Sequence, residues 1–227
     1  MTRKHRNDTT YHTLSCGMRM VHVHAPGTVS AIAGVTTRVG SRDDAPDAHG
    51  IAHMVEHNIF KGTQRRSSWH IINRMEAVGG ELNAYTTKEE TVVYSIYPAG
   101  NTARAAELIS DLLQNSKFPK KELDKERQVI ADEIDSYLDS PADAVFDDFD
   151  DMLFAGSSLG HNILGSKSDI ERIDSEQCRA YLRHHYTTDK MLAFYSGPES
   201  ATRGAATFER YFHPPVSYTH VRAHETG

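Results

Sequence analysis

The sequence predicts an α+β fold in which one mainly antiparallel sheet is covered by helices, as a two-layer sandwich. Two observations lead to this prediction. Apolar and other side chains alternate over residues 29–39, as in a half-buried strand, and strand pairs and helix pairs then follow one another without the strict alternation of a parallel sheet. With 227 residues, 38% of them hydrophobic, the chain can bury a core of this kind.

Four strands and two helices are predicted in the first half of the chain. The stretch HMVEHNIFKGT, residues 53–63, reads as an amphipathic helix after an aspartate-rich loop. Ser67 or Ser68 can cap the next helix, which ends at the left-handed terminator Gly79-Gly80. The predicted strands of this half span residues 18–24, 29–39, about 81–86 and about 90–97.

Helix start signals recur through the second half. Asn101 can cap one helix, and Pro119 suits the first turn of the next. Ser140 and the proline after it begin a very acidic segment, and Asp174 begins a capping box. The helix that starts near Pro119 runs to about Leu138. A strand at 190–197 and a helix at 199–212 complete the pattern.

Composition excludes several classes of protein. The net charge of −6, without a clustered Lys/Arg stripe, predicts no nucleic-acid partner. Only two cysteines occur, Cys16 and Cys178, and they are far apart and lack metal-type spacing, so neither a disulfide framework nor a cysteine zinc site is indicated. No apolar run approaches the roughly 20 residues of a membrane span, and residues 1–15 lack the apolar core of a secretory signal. We therefore expect a cytoplasmic protein with no membrane partner.

Two histidines and a glutamate in the first predicted helix suggest a metal site. His53 and His57 are four residues apart, so both imidazoles can point from one helix face at one ion. Glu56 lies on the flank of that face, where its carboxylate can take a proton from water beside a zinc ion. The alternative is that two surface histidines, of the 14 in the chain, happen to fall at helical spacing.

A catalytic zinc ion needs a third protein ligand, and the helix after Pro119 offers two candidates. Its inward stripe contains Glu126 and Glu133 at positions where apolar residues are expected. Buried carboxylates are costly unless they are paired or bind a metal. Seven helical residues separate the two by about 10 Å, so only one of them can bind a given ion, and periodicity leaves both open. The alternative is two exposed glutamates on a twisting helix face.

Other candidate groups carry less weight. His161 and His70 have no partner at ligand spacing. The aspartate run at 139–151 lacks the glycine and the ordered alternation of a calcium loop. Trp69 and Phe60 are predicted to lie in the core.

Three stretches, GIAHMVEHNIFKGT, GGELNAYTTKEETVVY and ERQVIADEI, resemble the successive signatures of the pitrilysin/insulinase family of inverted zinc peptidases. This family includes mitochondrial processing peptidase and its bacterial relatives. Its H-x-x-E-H motif is followed by a distant glutamate, and Glu133 stands 76 residues after His57 in this chain, at the spacing of the family. The resemblance covers residues 12–212.

The resemblance implies roles for five residues. His53, His57 and Glu133 would be the ligands of one Zn²⁺ ion, Glu56 the general base, and Glu126 a carboxylate that supports the ligands from behind. The implied activity is zinc-dependent endopeptidase hydrolysis of peptide bonds in unfolded peptides or presequence-like segments. The alternative is a non-catalytic peptide-binding or scaffold subunit of the same family, and the presence of the complete motif favours the enzyme.

The resemblance also predicts the substrate contact. In the family, the segment similar to GGELNAYT forms an exposed edge strand to which the substrate peptide adds as a further strand, by β-augmentation. Asn83 and Ala84 are the expected substrate contacts. The alternative is a turn that merely enters a hairpin.

Family members of this type carry two related halves that close over a peptide like a clam. We expect residues 12–212 to be the catalytic N-terminal peptidase domain, which is the first half of such an enzyme. We expect the second homologous domain to be absent from this sequence and to act as a partner domain or subunit. Residues 213–227 show no periodic pattern and are predicted to be a truncated or non-native tail.

Overall fold

A computed structural model describes residues 8–212 of the chain, apart from the side chain of Asp143. Its six strands form a single sheet in the order β1-β2-β6-β3-β5-β4. The strands are β1 (Asp8–Thr13), β2 (Arg19–His24), β3 (Ser30–Thr37), β4 (Glu81–Thr86), β5 (Thr91–Pro98) and β6 (Met191–Gly197).

Eight α-helices occur among the described residues. They are α1 (Ile51–Ile59), α2 (Ser68–Glu76), α3 (Thr102–Asn115), α4 (Lys120–Leu138), α5 (Pro141–Leu153), α6 (Lys167–Arg172), α7 (Ser175–His185) and α8 (Ala201–Tyr211). A short 3-10 helix, Ser41–Asp43, lies in the loop before α1.

The sheet is antiparallel at every pairing except one. Strands β2 and β6 are parallel neighbours, which places β6, the last strand within residues 8–212, between β2 and β3. The prediction of an α+β fold with a mainly antiparallel sheet is confirmed.

One face of the sheet carries the core. On β3, Ala31, Ala33 and Val35 are buried, whereas Ile32 and Thr36, which point to the other face, are only half-buried. Helix α3 packs against β3 and β5, and α8 packs against β2. Apolar residues of α1 and α4 join the same cluster. The helices therefore form a second layer over the buried face, because that face supplies the apolar side chains that they cover.

Three features differ from expectation. Strand β1 was not predicted, because its sequence DTTYHT has no apolar alternation and the strand is defined by pairing with β2 at the sheet edge. Helix α6 was also missed, although Ser166 and Asp169 form a capping box at its start. Trp69 is 66% exposed, so its assignment to the core was wrong.

The predicted tail at 213–227 lies outside the described residues. Within residues 8–212, none of the helices combines the length and the apolar character that crossing a bilayer requires.

Candidate functional site

Helix α1 is anchored at its first turn. Gly50, the residue before the helix, adopts a left-handed conformation with φ 88°, which favours glycine. The carboxylate of Asp44 accepts hydrogen bonds from the backbone N–H groups of Gly50 at 2.8 Å and Ala52 at 3.2 Å. These bonds satisfy N–H groups that lack a partner within the helix, and they fix where His53 and His57 emerge.

The structure brings His53, His57 and Glu133 together. The Oε2 atom of Glu133, on α4, lies 3.8 Å from Nε2 of His53 and 3.6 Å from Nε2 of His57. One ligand-type atom from each residue lies within 4.8 Å of the others. Two atoms that bind a tetrahedral zinc ion are each about 2 Å from it and about 3.3 Å from each other. The donor set and its spacing therefore fit a zinc ion.

Glu126 occupies a different place, behind the histidines. Its Oε2 atom accepts a hydrogen bond from Nδ1 of His57 at 3.1 Å, and its Oε1 atom lies 2.8 Å from Nζ of Lys61. Because Nδ1 of His57 carries the proton in this contact, the lone pair of the ring is on Nε2, which faces Glu133. Glu126 is only 8% exposed, so the ion pair with Lys61 balances its buried charge.

The side chain of Glu56, on α1, lies beside Thr86 of β4. Burial raises the pKa of Glu56, and the nearby charge of Glu133 raises it further, whereas a hydrogen bond with Thr86 and the charge of His57 lower it. Burial, followed by the charge of His57, lowers the pKa of His53 to about 3. His53 is therefore a neutral imidazole at physiological pH, which is the form that binds metals.

Asn83 and Ala84 lie on β4, at the edge of the sheet. Among residues 8–212, β4 pairs only with β5. The N–H group of Thr87 donates to the carbonyl oxygen of Glu90 at 2.8 Å, so hydrogen-bonded pairs alternate from that turn onwards. This alternation directs the backbone groups of Ala84 to the open edge and those of Asn83 to β5.

A cleft of about 500 Å³ runs between β4 and α1. It is lined by Asn83 and Ala84 and by residues of the site, namely Glu56, His57, Lys61 and Glu126. Asn83 and Ala84 thus line the same cleft as His57, one of the residues that bear the ligand-type atoms.

Two residues of the site were not singled out in the sequence. Lys61 stands four residues after His57, just beyond the end of α1, and this spacing was the available signal. Thr86 shares the strand face of Ala84 because strand side chains alternate with a period of two. Neither position suggests a role until α4 and β4 are placed against α1.

The amino-acid sequence is similar to those of known peptidases. An uncharacterized zinc protease of Streptomyces coelicolor is 35% identical over 185 residues, which is 82% of this chain and 40% of that protein. The mitochondrial-processing peptidase subunit beta of Lentinula edodes is 36% identical over 192 residues, covering 83% of this chain and 41% of the subunit. The chain thus spans less than half the length of these relatives.

Solved structures agree on the fold. The crystal structure of a protease from Helicobacter pylori superimposes with a TM-score of 0.85 at 22% identity, over 91% of this chain and 50% of the other. The family model described as Insulinase (Peptidase family M16) matches residues 19–167, which include α1, β4 and α4. The chain therefore belongs to the insulinase family of peptidases, peptidase family M16.

Proposed function

We propose that this chain is the catalytic domain of a zinc-dependent endopeptidase. The observation that carries the proposal is the approach of His53, His57 and Glu133, which offer ligand-type atoms within 4.8 Å of one another. Relatives that are 35% identical to this chain over 184 and 185 residues are named zinc proteases, which supports zinc as the metal. In this proposal the three residues bind one Zn²⁺ ion.

The remaining residues of the site have complementary roles. When bound by these residues, zinc would act as a Lewis acid that acidifies water and polarises a carbonyl group. Glu56 takes a proton from the attacking water and then delivers it to the leaving amine, for which a raised pKa is favourable. Glu126 orients His57 through Nδ1 and thereby acts as a positioning residue.

The substrate in this proposal is an unfolded peptide, which includes presequence-like segments. An extended peptide adds to the open edge of β4 and forms hydrogen bonds with the backbone of Ala84, while Asn83 contacts it from the rim of the cleft. Backbone recognition of this kind requires an extended chain, so folded proteins would be poor substrates. The cleavage preference would come from the side-chain pockets.

A non-catalytic peptide-binding or scaffold subunit is the alternative. Such a protein needs the edge strand but does not need a general base or a complete ligand set. Glu56 stands beside the three ligand-type residues in this chain, which favours the enzyme.

We further propose that a second homologous domain or subunit completes the active site. The relatives are more than twice as long as the matched region. Helix α5 presents a row of exposed apolar side chains, which are costly to leave in water. The row comprises Val145, Phe146, Phe149, Met152 and Leu153. The second domain would cover this row and close over the peptide.

Metal analysis combined with a peptide assay tests the proposed function. The chain, assayed together with a second domain from a relative, should contain one tightly bound zinc ion at the site, lose peptide hydrolysis on treatment with a chelator, and recover it when zinc is restored. Hydrolysis that persists after complete removal of zinc would contradict the proposal.

A further inference from the structure

A second group of ligand-type side chains lies at the other end of α1. Asp44 is in the loop before the helix, His49 precedes it by two residues, and His161 is in the loop between α5 and α6. One ligand-type atom from each residue lies within 4.8 Å of the others. The rings of His49 and His161 have centroids 4.0 Å apart and are tilted by 37°.

The backbone holds this group in place. A Cβ atom on Gly50 would lie 2.4 Å from the carbonyl oxygen of Leu164, and one on Gly165 would lie 2.4 Å from the carbonyl oxygen of His49. Both glycines have positive φ, at 88° and 69°. The two loops therefore touch at main-chain distance, and only glycine permits this approach.

The same group contains polar atoms without partners. Nδ1 of His49 and Nε2 of His161 are buried and have no hydrogen-bond partner. Nδ1 of His161 lies 3.1 Å from the carbonyl oxygen of Asn162, and donation to that oxygen leaves the lone pair of the ring on Nε2. Burying a polar atom without a hydrogen-bond partner costs free energy, so these two ring nitrogens lack an interaction that a bound ligand could supply.

The charge of the group is also unbalanced. Asp44 is buried, and its carboxylate accepts two backbone hydrogen bonds. A divalent cation would balance the carboxylate and accept both imidazole lone pairs.

We propose that Asp44, His49 and His161 bind a second divalent transition-metal ion, of the zinc–cobalt–nickel class. Two imidazoles and one carboxylate form a donor set that suits these ions, whereas magnesium and calcium favour ligands that are all oxygen atoms. The ion joins the start of α1 to the loop at 161–165, one helical turn before His53. Its role is structural, because it fixes the position of the helix on which the proposed catalytic ligands stand.

Zinc stoichiometry tests the second site separately from the first. The variant His53→Ala/His57→Ala removes the proposed catalytic ligands, and we expect it to retain one Zn²⁺ ion per chain after equilibrium dialysis. Adding His161→Gln should remove that ion, whereas adding His70→Gln, at an exposed histidine outside both groups, should not. Equal zinc content with and without His161→Gln would overturn the proposal.

A spectroscopic measurement tests the second site without any substitution in that site. Zinc X-ray absorption of His53→Ala/His57→Ala, which keeps Asp44, His49 and His161, should show two imidazole ligands on the bound ion. A chain of this variant that is folded by circular dichroism but holds no zinc, or holds zinc without imidazole ligands, would overturn the second site. Neither result depends on peptidase activity, so the proposed function is tested independently.

Discussion

Nδ1 of His57 lies 3.1 Å from Oε2 of Glu126, so this glutamate contacts the side of the imidazole that faces away from Glu133. Helical periodicity alone does not distinguish Glu126 from Glu133. The contact does distinguish them geometrically, because a ring nitrogen that donates to a carboxylate cannot bind a metal at the same time. The two glutamates are therefore expected to affect metal binding by different mechanisms.

The first prediction concerns these two glutamates. Glu133→Gln should abolish tight zinc binding at the site, because it removes one of three ligands. Glu126→Gln should weaken zinc affinity by about 10- to 100-fold, as changes behind a ligand generally do. Competitive titration with a chromogenic chelator measures both affinities. The assignment is reversed if Glu126→Gln loses the metal and Glu133→Gln keeps it.

The second prediction concerns the general base. Glu56→Gln should keep its zinc and lose about 10²- to 10⁴-fold in kcat, because the amide cannot accept the proton from water. His57→Ala should lose both activity and the zinc ion that is proposed to bind at His53, His57 and Glu133. Zinc content and turnover are measured on the same samples, with the exposed Glu171→Gln as a matched control. Full activity in Glu56→Gln would exclude the proposed role.

The third prediction concerns the edge of β4. Ala84→Pro removes a backbone N–H group that points to the open edge, and proline is tolerated on an edge strand where no ladder bond is lost. Loss of one hydrogen bond to the peptide should raise KM by about 5- to 30-fold, which corresponds to about 1–2 kcal/mol. Ala84→Ser keeps the N–H group and is the control. An unchanged KM in a folded Ala84→Pro variant argues against strand addition.

Much of the fold was accessible from the sequence because its strands and helices carry local signals. The apolar period of β3, the capping box at Asp174 and the terminator at Gly79-Gly80 each depend on a few adjacent residues. The position of β6 between β2 and β3 depends on pairing across most of the chain, and no local pattern encodes it.

The candidate sites likewise combine features that are local in sequence with features that depend on the fold. The spacing of His53 and His57 is local to one helix, so the sequence indicated a shared target for the two rings. His161 has no partner at ligand spacing along the sequence, whereas the fold places it beside His49, 112 residues earlier. Ligand pairs of this kind become visible only when loops distant in sequence are brought together.

The fourth prediction concerns the pH dependence of stability. His22 is fully buried between Tyr195 and Gly204 of α8, and neither ring nitrogen has a hydrogen-bond partner. Burial lowers the pKa of His22 from its ordinary value of 6.5, and the charges of His24 and His12 lower it further. The unfolded chain therefore binds a proton more readily than the folded chain does.

It follows that the free energy of unfolding should fall as the pH drops below 6.5, by at most about 1.4 kcal/mol per pH unit for this single group. Urea unfolding of the wild-type chain and of His22→Leu over pH 5 to 8 measures the difference, with the exposed His70→Gln as the control. The slope of His22→Leu should be shallower below pH 6.5. Parallel curves would show that His22 does not titrate with folding.

The fifth prediction concerns the second homologous domain. An open edge strand and a single metal site can bind a peptide weakly, whereas efficient hydrolysis requires the scissile bond to be held in a near-attack geometry. The relatives extend well beyond the matched region, and α5 offers the apolar row for another domain to cover. The chain alone should therefore bind zinc at His53, His57 and Glu133 yet cleave an unstructured peptide at least about 10²-fold more slowly than when combined with a second domain.

The measurement compares three mixtures under one set of conditions. The chain is assayed alone, with the separately expressed second half of the Streptomyces coelicolor relative, and with that half in the Glu56→Gln background, which controls for a contaminating peptidase. Phe146→Ser/Phe149→Ser, on the apolar row, should weaken the gain from the second half without changing zinc content, because both side chains are exposed in the chain alone. If the chain alone already reaches the rate of the combined halves, closure by a second domain is not required, and the geometry of α1, α4 and β4 is sufficient for catalysis.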